Sequence, residues 1–294
     1  MASLEGQTIG FIGLGLMGRR MARNLHRAGA RMIVHNRSAA PMQELTDEGM
    51  QPTATPAETA ERADIIITML TDTPAVEQVI AGDNGLLEAV RPETLVIDMS
   101  TTKLPVTREL AVRIEAKGGA FIDAPVSGGT IGAEQGTLII MAGGESQALA
   151  RAMPIFDVLG SRTTHVGATG AGQVAKAANQ VIVGLNIGAV AEALTLARHA
   201  GVDPARVRDA LAGGFADSRI LEVHGQRMVD GSFIPGARAT VQRKDMDQAL
   251  ELAWELGFEL PATALSRDLY DKLIDAGHGD LDHAALIKAI DPDA

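Results

Sequence analysis

Apolar residues in the first half of the chain fall in short, nearly unbroken runs: Thr8–Ile12, Met32–His35, Ile65–Leu70, Leu95–Met99 and Ala120–Ile122. Runs of this kind predict strands covered on both faces, as in a parallel sheet. Helical spacing fills the intervals, with start signals at Ser38 shortly before Pro41, at Thr55-Pro56-Ala57-Glu58 and at Thr73-Pro74. The second signal is a capping box with proline at the first helical position. Strand and helix alternating over about 130 residues require right-handed crossovers and predict a Rossmann-type doubly wound α/β sheet. Runs at Leu138–Ala142 and Thr163–Val166 close this region.

The pattern then changes. From Gly172 to His199 one helical stretch runs without a breaker, stopping at Gly201. Asp203-Pro204 starts another helix, Gly213-Gly214 stops it, and three or four more are expected up to Leu286. The expected division is an α/β dinucleotide-binding domain over 1–167 and an all-α domain over 168–294, joined by the long interdomain helix. A length of 294 residues suits two domains.

Composition narrows the chemistry. With no cysteine, disulfides, thiolate metal sites and cysteine nucleophiles are out, and a reducing compartment fits. A formal net charge of −11 and the lack of any Lys/Arg run argue against a nucleic-acid partner. Ala177–Ala191, the longest uncharged apolar stretch, contains Asn179, Gln180 and Asn186 and is read as too short and polar to span a bilayer. Met1–Gln7 carries no basic and apolar leader, so the expectation is a cytoplasmic protein. The histidines show no metal-ligand spacing, no metal is expected, and His278 and His283 are expected at the surface.

Four segments could carry chemistry. Gly13-Leu14-Gly15-Leu16-Met17-Gly18 directly follows a predicted strand and precedes a helix. In that setting Gly13 permits the turn, Gly15 admits a pyrophosphate and Gly18 lets the helix pack close. The next strand ends at Asn36-Arg37-Ser38, where an NAD site would place a carboxylate. A guanidinium and a hydroxyl suit the 2′-phosphate of NADP(H), with NAD(H) possible; the alternative is an exposed turn with an incidental arginine. Asp123-Ala124-Pro125-Val126-Ser127-Gly128-Gly129 could form an anion-binding nest or a tight loop. Lys176 lies in an apolar helical stretch with Asn179 and Gln180 three and four residues on. Burying its ammonium is costly unless it works or is paired, and desolvation would ease proton exchange; the alternative is a lysine that snorkels. Arg243-Lys244-Asp245 alone reads as a solvated face.

In this order the segments resemble the 3-hydroxyacid (β-hydroxyacid) dehydrogenase family. The likeness runs over essentially the whole chain and includes Gly136-Thr137-Leu138, Gly170–Gln180 and Lys244-Asp245-Met246. It implies hydride transfer between NAD(P)H and a small 3-hydroxy acid or semialdehyde. Lys176 is implied as catalytic with Asn179, and Ser127, Gly128, Gly129 and Gln180 as binders of a small-molecule carboxylate. Gly13 through Gly18, Asn36, Arg37, Ser38, Met69, Leu70, Thr101 and Lys244 are the implied cofactor contacts. Ala178–Val183 with Leu185-Asn186-Ile187 is similar to the branch acting on tartronate semialdehyde (2-hydroxy-3-oxopropionate). Oxidation of 3-hydroxyisobutyrate, or reduction of succinate semialdehyde or sulfolactaldehyde, is the alternative. A catalytically inactive nucleotide-binding scaffold is a reading of another class, and Lys176 argues against it. A homodimer or homotetramer is expected from the long helix, whose Gly184, Gly188, Ala189 and Ala193 permit close approach.

Overall fold

The computed structural model describes residues 3–293; Met1 and Ala2, part of the segment read as leader-free, and Ala294 lie outside the described residues. Nine strands among them form one sheet: β1 (Thr8–Ile12), β2 (Arg31–His35), β3 (Gln51–Pro52), β4 (Ile65–Thr68), β5 (Leu95–Asp98), β6 (Ala120–Asp123), β7 (Val126–Ser127), β8 (Leu138–Gly144) and β9 (Gly160–Gly167). The spatial order is β3-β2-β1-β4-β5-β6-β8-β7, with β9 paired to β8. The first six strands are parallel in the dinucleotide-fold order. Beyond β6 the sheet is mixed: β8 pairs antiparallel with β6 and β7, and parallel with β9. The run Ile65–Leu70 leaves the sheet after Thr68, and β3 and β7 were not anticipated because two residues cannot display an alternation.

Helices α1 (Gly18–Arg27), α2 (Ala39–Asp47), α3 (Pro56–Arg62), α4 (Thr73–Ala81), α5 (Leu104–Glu115), α6 (Gly129–Gln135) and α7 (Ser146–Leu159) connect the strands. Successive strand residues feed opposite faces of the sheet. Phe11, Ile67, Leu95 and Ile97 join Met21, Leu25 and Phe156 in one core, whereas Ile12, Ile66 and Val96 join Val76, Leu110 and Ile114 in the other. Thr55 caps α3 as expected, its Oγ1 accepting from Glu58 N at 3.1 Å while Glu58 Oε2 accepts from Ala54 N at 2.8 Å. For α4 the cap is Asp72 and not Thr73: Asp72 Oδ1 accepts from Ala75 N, and Thr73 Oγ1 accepts from Lys103 N.

The chain divides into two compact units, residues 1–176 and 177–294, the division falling inside helix α8 (Ala171–His199). The second unit is helical, with α9 (Pro204–Leu211), α10 (Arg219–Asp230), α11 (Ala239–Glu255), α12 (Pro261–Leu273) and α13 (Ile287–Ile290). Its β content among the described residues is one isolated bridge, Arg238 to Asp282. Ile187, Ala191, Leu194, Leu221, Met246, Tyr270, Leu273 and Leu286 form its core. By length and composition α8 could cross a membrane, contrary to the reading of its apolar stretch as too short, because the regular helix runs 29 residues. Its Ile187, Ala191 and Leu194 are nonetheless buried in the unit's own core. The small residues also serve that unit: a Cβ on Gly184 would lie 2.6 Å from Met246 Sδ, and one on Gly188 would lie 3.7 Å from Ser266 Oγ. Gly184 thus lets Met246 pack against α8 within one chain, whereas at Gly188 a Cβ would find ordinary van der Waals room.

Candidate active site

The glycine turn closes over the ends of three strands. Gly13 has φ +99°, and a Cβ there would sit 2.3 Å from Met69 O, so only glycine fits. Gly13 N donates to His35 O at 3.0 Å, and Leu14 N to Asn36 Oδ1 at 2.9 Å. A Cβ on Gly18 would lie 1.9 Å from Gly13 O, which is what lets α1 start against the turn. Gly15 is exposed and a Cβ on it would meet no atom within 4 Å. The turn thus offers open backbone at Gly15 directly before a helix N-terminus, and these residues fit the pyrophosphate of a dinucleotide.

Asn36 is half-buried and works on the turn, also donating through Nδ2 to Ser38 O at 3.0 Å. Arg37 and Ser38 are exposed; Ser38 occupies the N-cap position of α2, but its hydroxyl makes no cap hydrogen bond. Met69 N donates to Ile12 O and Leu70 N to Ser100 Oγ, both at 2.9 Å, so the residues after β4 line the same turn.

Thr101, half-buried, sits between two residues held by a buried polar network. Asp98 accepts from Thr68 Oγ1, Ser100 N and Thr102 Oγ1. The Gln173 side chain brackets Thr101, its Nε2 donating to Ser100 O at 2.9 Å and its Oε1 accepting from Thr102 N at 3.0 Å. Asp123 Oδ1 accepts from Gly170 N at 2.7 Å and Asp123 Oδ2 from Gln173 N at 2.9 Å. Burial pushes the Asp123 carboxyl up to about 6, against the pull of those N–H donors. Gln173 and the two carboxylates are site residues the spacing argument missed, although Asp123 opens a segment it had singled out.

Lys176, only 8% exposed, donates from Nζ to Val126 O at 2.8 Å, so it does not snorkel. The next residues are Ser127, ending β7, then Gly128 at φ +134° and Gly129 at φ +58°, which opens α6. The first unit therefore brings the lysine ammonium to the residue preceding the candidate carboxylate binders.

In the second unit Asn179 Nδ2 donates to Gln180 Oε1 at 2.7 Å. Gln180 Nε2 donates to Asp245 Oδ2 at 2.6 Å and to Gln242 Oε1 at 3.1 Å, and Gln242 Nε2 returns a bond to Gln180 O. Lys244 Nζ lies 3.0 Å from Asp245 Oδ1. The Arg243-Lys244-Asp245 face is thus not simply solvated: Asp245 is buried, and Arg243 pairs with Asp247 and Asp271.

His283 is buried, contrary to the surface expectation, because it packs edge-on against His224 with ring centroids 4.4 Å apart. With Asp282 these histidines bring three ligand-type atoms within 4.8 Å of one another. The donor set does not suit a cation: Asp282 already pairs with Arg227 and accepts from Gly236 N, Ala237 N and Ala284 N.

A dinucleotide turn at the β1/β4 switch point, with a buried lysine held beside a glycine loop, fits a nicotinamide-dependent dehydrogenase. Residues 8–167 match the NAD binding domain of 6-phosphogluconate dehydrogenase, and residues 170–290 match the NAD-binding family of NADP-dependent 3-hydroxyisobutyrate dehydrogenase. The chain belongs to the 3-hydroxyacid dehydrogenase family and is an NAD(P)-dependent oxidoreductase. It is 46% identical to the 2-hydroxy-3-oxopropionate reductase of Escherichia coli (strain K12) over 284 residues, covering 96% of this chain and 97% of that protein. Among solved structures, 3-hydroxyisobutyrate dehydrogenase from Salmonella typhimurium superposes with a TM-score of 0.87 at 30% identity, covering 96% of this chain and 99% of that one. The Mycobacterium tuberculosis 3-hydroxyisobutyrate dehydrogenase solved with L-serine gives 0.88 at 31%, covering 97% and 99%.

Proposed function

We propose that this chain reduces 2-hydroxy-3-oxopropionate, using NADPH in preference to NADH. The observation that carries the reading is the bond from Lys176 Nζ to Val126 O, one residue before Ser127-Gly128-Gly129. A proton donor adjacent to a carboxylate anchor fits a substrate whose carbonyl and carboxylate are only a few atoms apart. The nicotinamide cofactor, when bound, supplies the hydride. Gly13 through Gly18 hold its pyrophosphate, Met69, Leu70, Thr101 and Lys244 line it, and Arg37 with Ser38 take the 2′-phosphate. Ser127, Gly128 and Gly129 hold the substrate carboxylate. Lys176 gives a proton to the developing alkoxide in reduction and accepts it in oxidation. Asn179 orients the substrate and Gln180 completes that contact, its amide anchored on Asp245 and Gln242. The NADP-binding domain is assigned to residues 1–167 and the helical substrate and dimerisation domain to 168–294, of which 168–176 fold with the first compact unit. A homodimer or homotetramer in the cytoplasm is part of this reading, and the exposed Phe215, Ile234, Trp254, Leu256 and Leu265 of the helical unit are side chains a second copy would cover.

Initial rates with 2-hydroxy-3-oxopropionate, methylmalonate semialdehyde, succinate semialdehyde and sulfolactaldehyde, each with NADPH and NADH, test the assignment. The highest kcat/KM is expected for 2-hydroxy-3-oxopropionate with NADPH. A higher value for another member of the panel would reassign the substrate, and equal or faster turnover with NADH would remove the role given to Arg37.

A further inference from the structure

At the start of helix α8 the Gly170 and Gln173 N–H groups are met by the side chain of Asp123 from β6, about fifty residues earlier in the chain. The carboxylate is seated in a cradle from which side chains have been removed. A Cβ on Gly143 would lie 2.6 Å from Asp123 Oδ1, and one on Gly172 would lie 2.8 Å from Asp123 Oδ2 and 2.4 Å from Met141 O. Gly172 stands in the first turn of α8, where glycine is a poor helix former. A buried carboxylate is itself unfavourable, and one serving only to fill space would be replaceable by an apolar residue.

The contacts form a closed circuit. Asp123 holds Gln173 N; one helical turn later Lys176 returns to Val126 O, three residues beyond Asp123. Gln173 extends the same circuit to Ser100 and Thr102 on either side of Thr101.

We propose that Asp123 is a positioning residue for the reaction: by accepting from the Gly170 and Gln173 amides it fixes the first turn of α8, and with it the place of the Lys176 ammonium relative to Ser127-Gly128-Gly129. This rests on the reading of Lys176 as proton donor. The ionised form holds both amides, and a proton on either oxygen weakens that oxygen as an acceptor and places an O–H beside an N–H. Asp98 on β5, in register with Asp123, favours that proton; Arg108 of α5, beside Gly170, and Lys176 of α8 are cations on the elements around it.

Asp123→Asn is the test, assayed in the reducing direction at saturating cofactor, with amide hydrogen exchange followed over residues 168–176. The variant is expected to lose about ten- to a hundredfold in kcat, the effect of a misplaced catalytic group, with the KM for cofactor changed less than about twofold. Wild-type kcat should fall as pH drops through about 6, and that limb should vanish in the variant. Lys176 does not produce such a limb, since in reduction it must be protonated and acidification favours it. Exchange at Gly170 and Gln173 should quicken in the variant. In wild type it should quicken, beyond the intrinsic pH effect, as pH falls through about 6, a measurement that stands even if the variant does not fold. Unchanged kcat, a persisting acid limb in the variant, or unchanged exchange in wild type would each overturn the proposal. Lys176→Ala with undiminished turnover would instead remove the proton-donor reading while leaving the exchange result intact.

Discussion

Replacing Asp282 by asparagine changes one charge and almost no volume at a fully buried point of the helical unit. The carboxylate there pairs with Arg227, accepts from Gly236 N at 2.8 Å, Ala237 N at 3.3 Å and Ala284 N at 3.0 Å, and lies 3.5 Å from His224 Nδ1. Burial pushes its pKa up, but His224, His283, Arg227 and the Ala284 N–H together outweigh that and hold it well below the ordinary carboxylate range. Asparagine keeps one acceptor, turns an amide N–H₂ toward other donors, and leaves Arg227 without its anion. Breaking one side of a buried ion pair costs about 3–5 kcal/mol, which for a unit of this size lowers Tm by roughly 10–20 °C. Equilibrium urea unfolding followed by far-UV circular dichroism is the suitable assay, because the single tryptophan, Trp254, is 79% exposed and reports weakly. A cycle with Arg227→Met isolates the pair, with an expected coupling above about 1.5 kcal/mol. The depressed pKa sets the sign with pH: this stabilisation is present above about pH 4 and is lost on acidification, so the gap between wild type and variant closes there. A total loss under about 1 kcal/mol, the range of surface ion pairs, would refute the reasoning.

Lys176→Ala should bind cofactor, by fluorescence titration, yet lose roughly 10²- to 10⁴-fold in kcat; retention of more than about half would exclude it as proton donor. Arg37→Ala should remove most of a ten- to hundredfold preference for NADPH, about 1.5–3 kcal/mol, and Asn36→Asp should reverse it in kcat/KM while still accepting from Leu14 N. For Asp123 the folded pKa is raised to about 6, so ionisation costs stability as pH rises from about 4 to about 6, and the cost is constant above that. The stability of Asp123→Asn relative to wild type should therefore improve by about 3 kcal/mol from pH 4 to pH 7, and a gap independent of pH would contradict the shift. Light scattering at micromolar concentration should give a mass above that of one 30.7 kDa chain; a monomer mass would leave exposed Phe215 and Trp254 without the partner assigned to them.

The sequence alone determined whatever depends on neighbours along the chain. Uninterrupted apolar runs marked β1, β2, β4, β5 and β6, the Thr55 box marked α3, and the glycines of residues 13–18 placed the dinucleotide turn, because strand period, helix caps and positive φ are each written in a few consecutive residues. Lys176 was legible for the same reason, as one charge in an apolar helical stretch. Tertiary structure alone decided the partners of buried charge. Asp123 meets Gln173 from 50 residues away and Arg227 meets Asp282 from 55, and His283, which looks like a surface residue beside its polar neighbours, is buried because the fold brings His224 against it. The two-residue strands β3 and β7 also exist only through the strands they pair with. A buried polar group must be hydrogen-bonded, but nothing in its local sequence says by which distant group, and that choice is made only when the chain closes its loops.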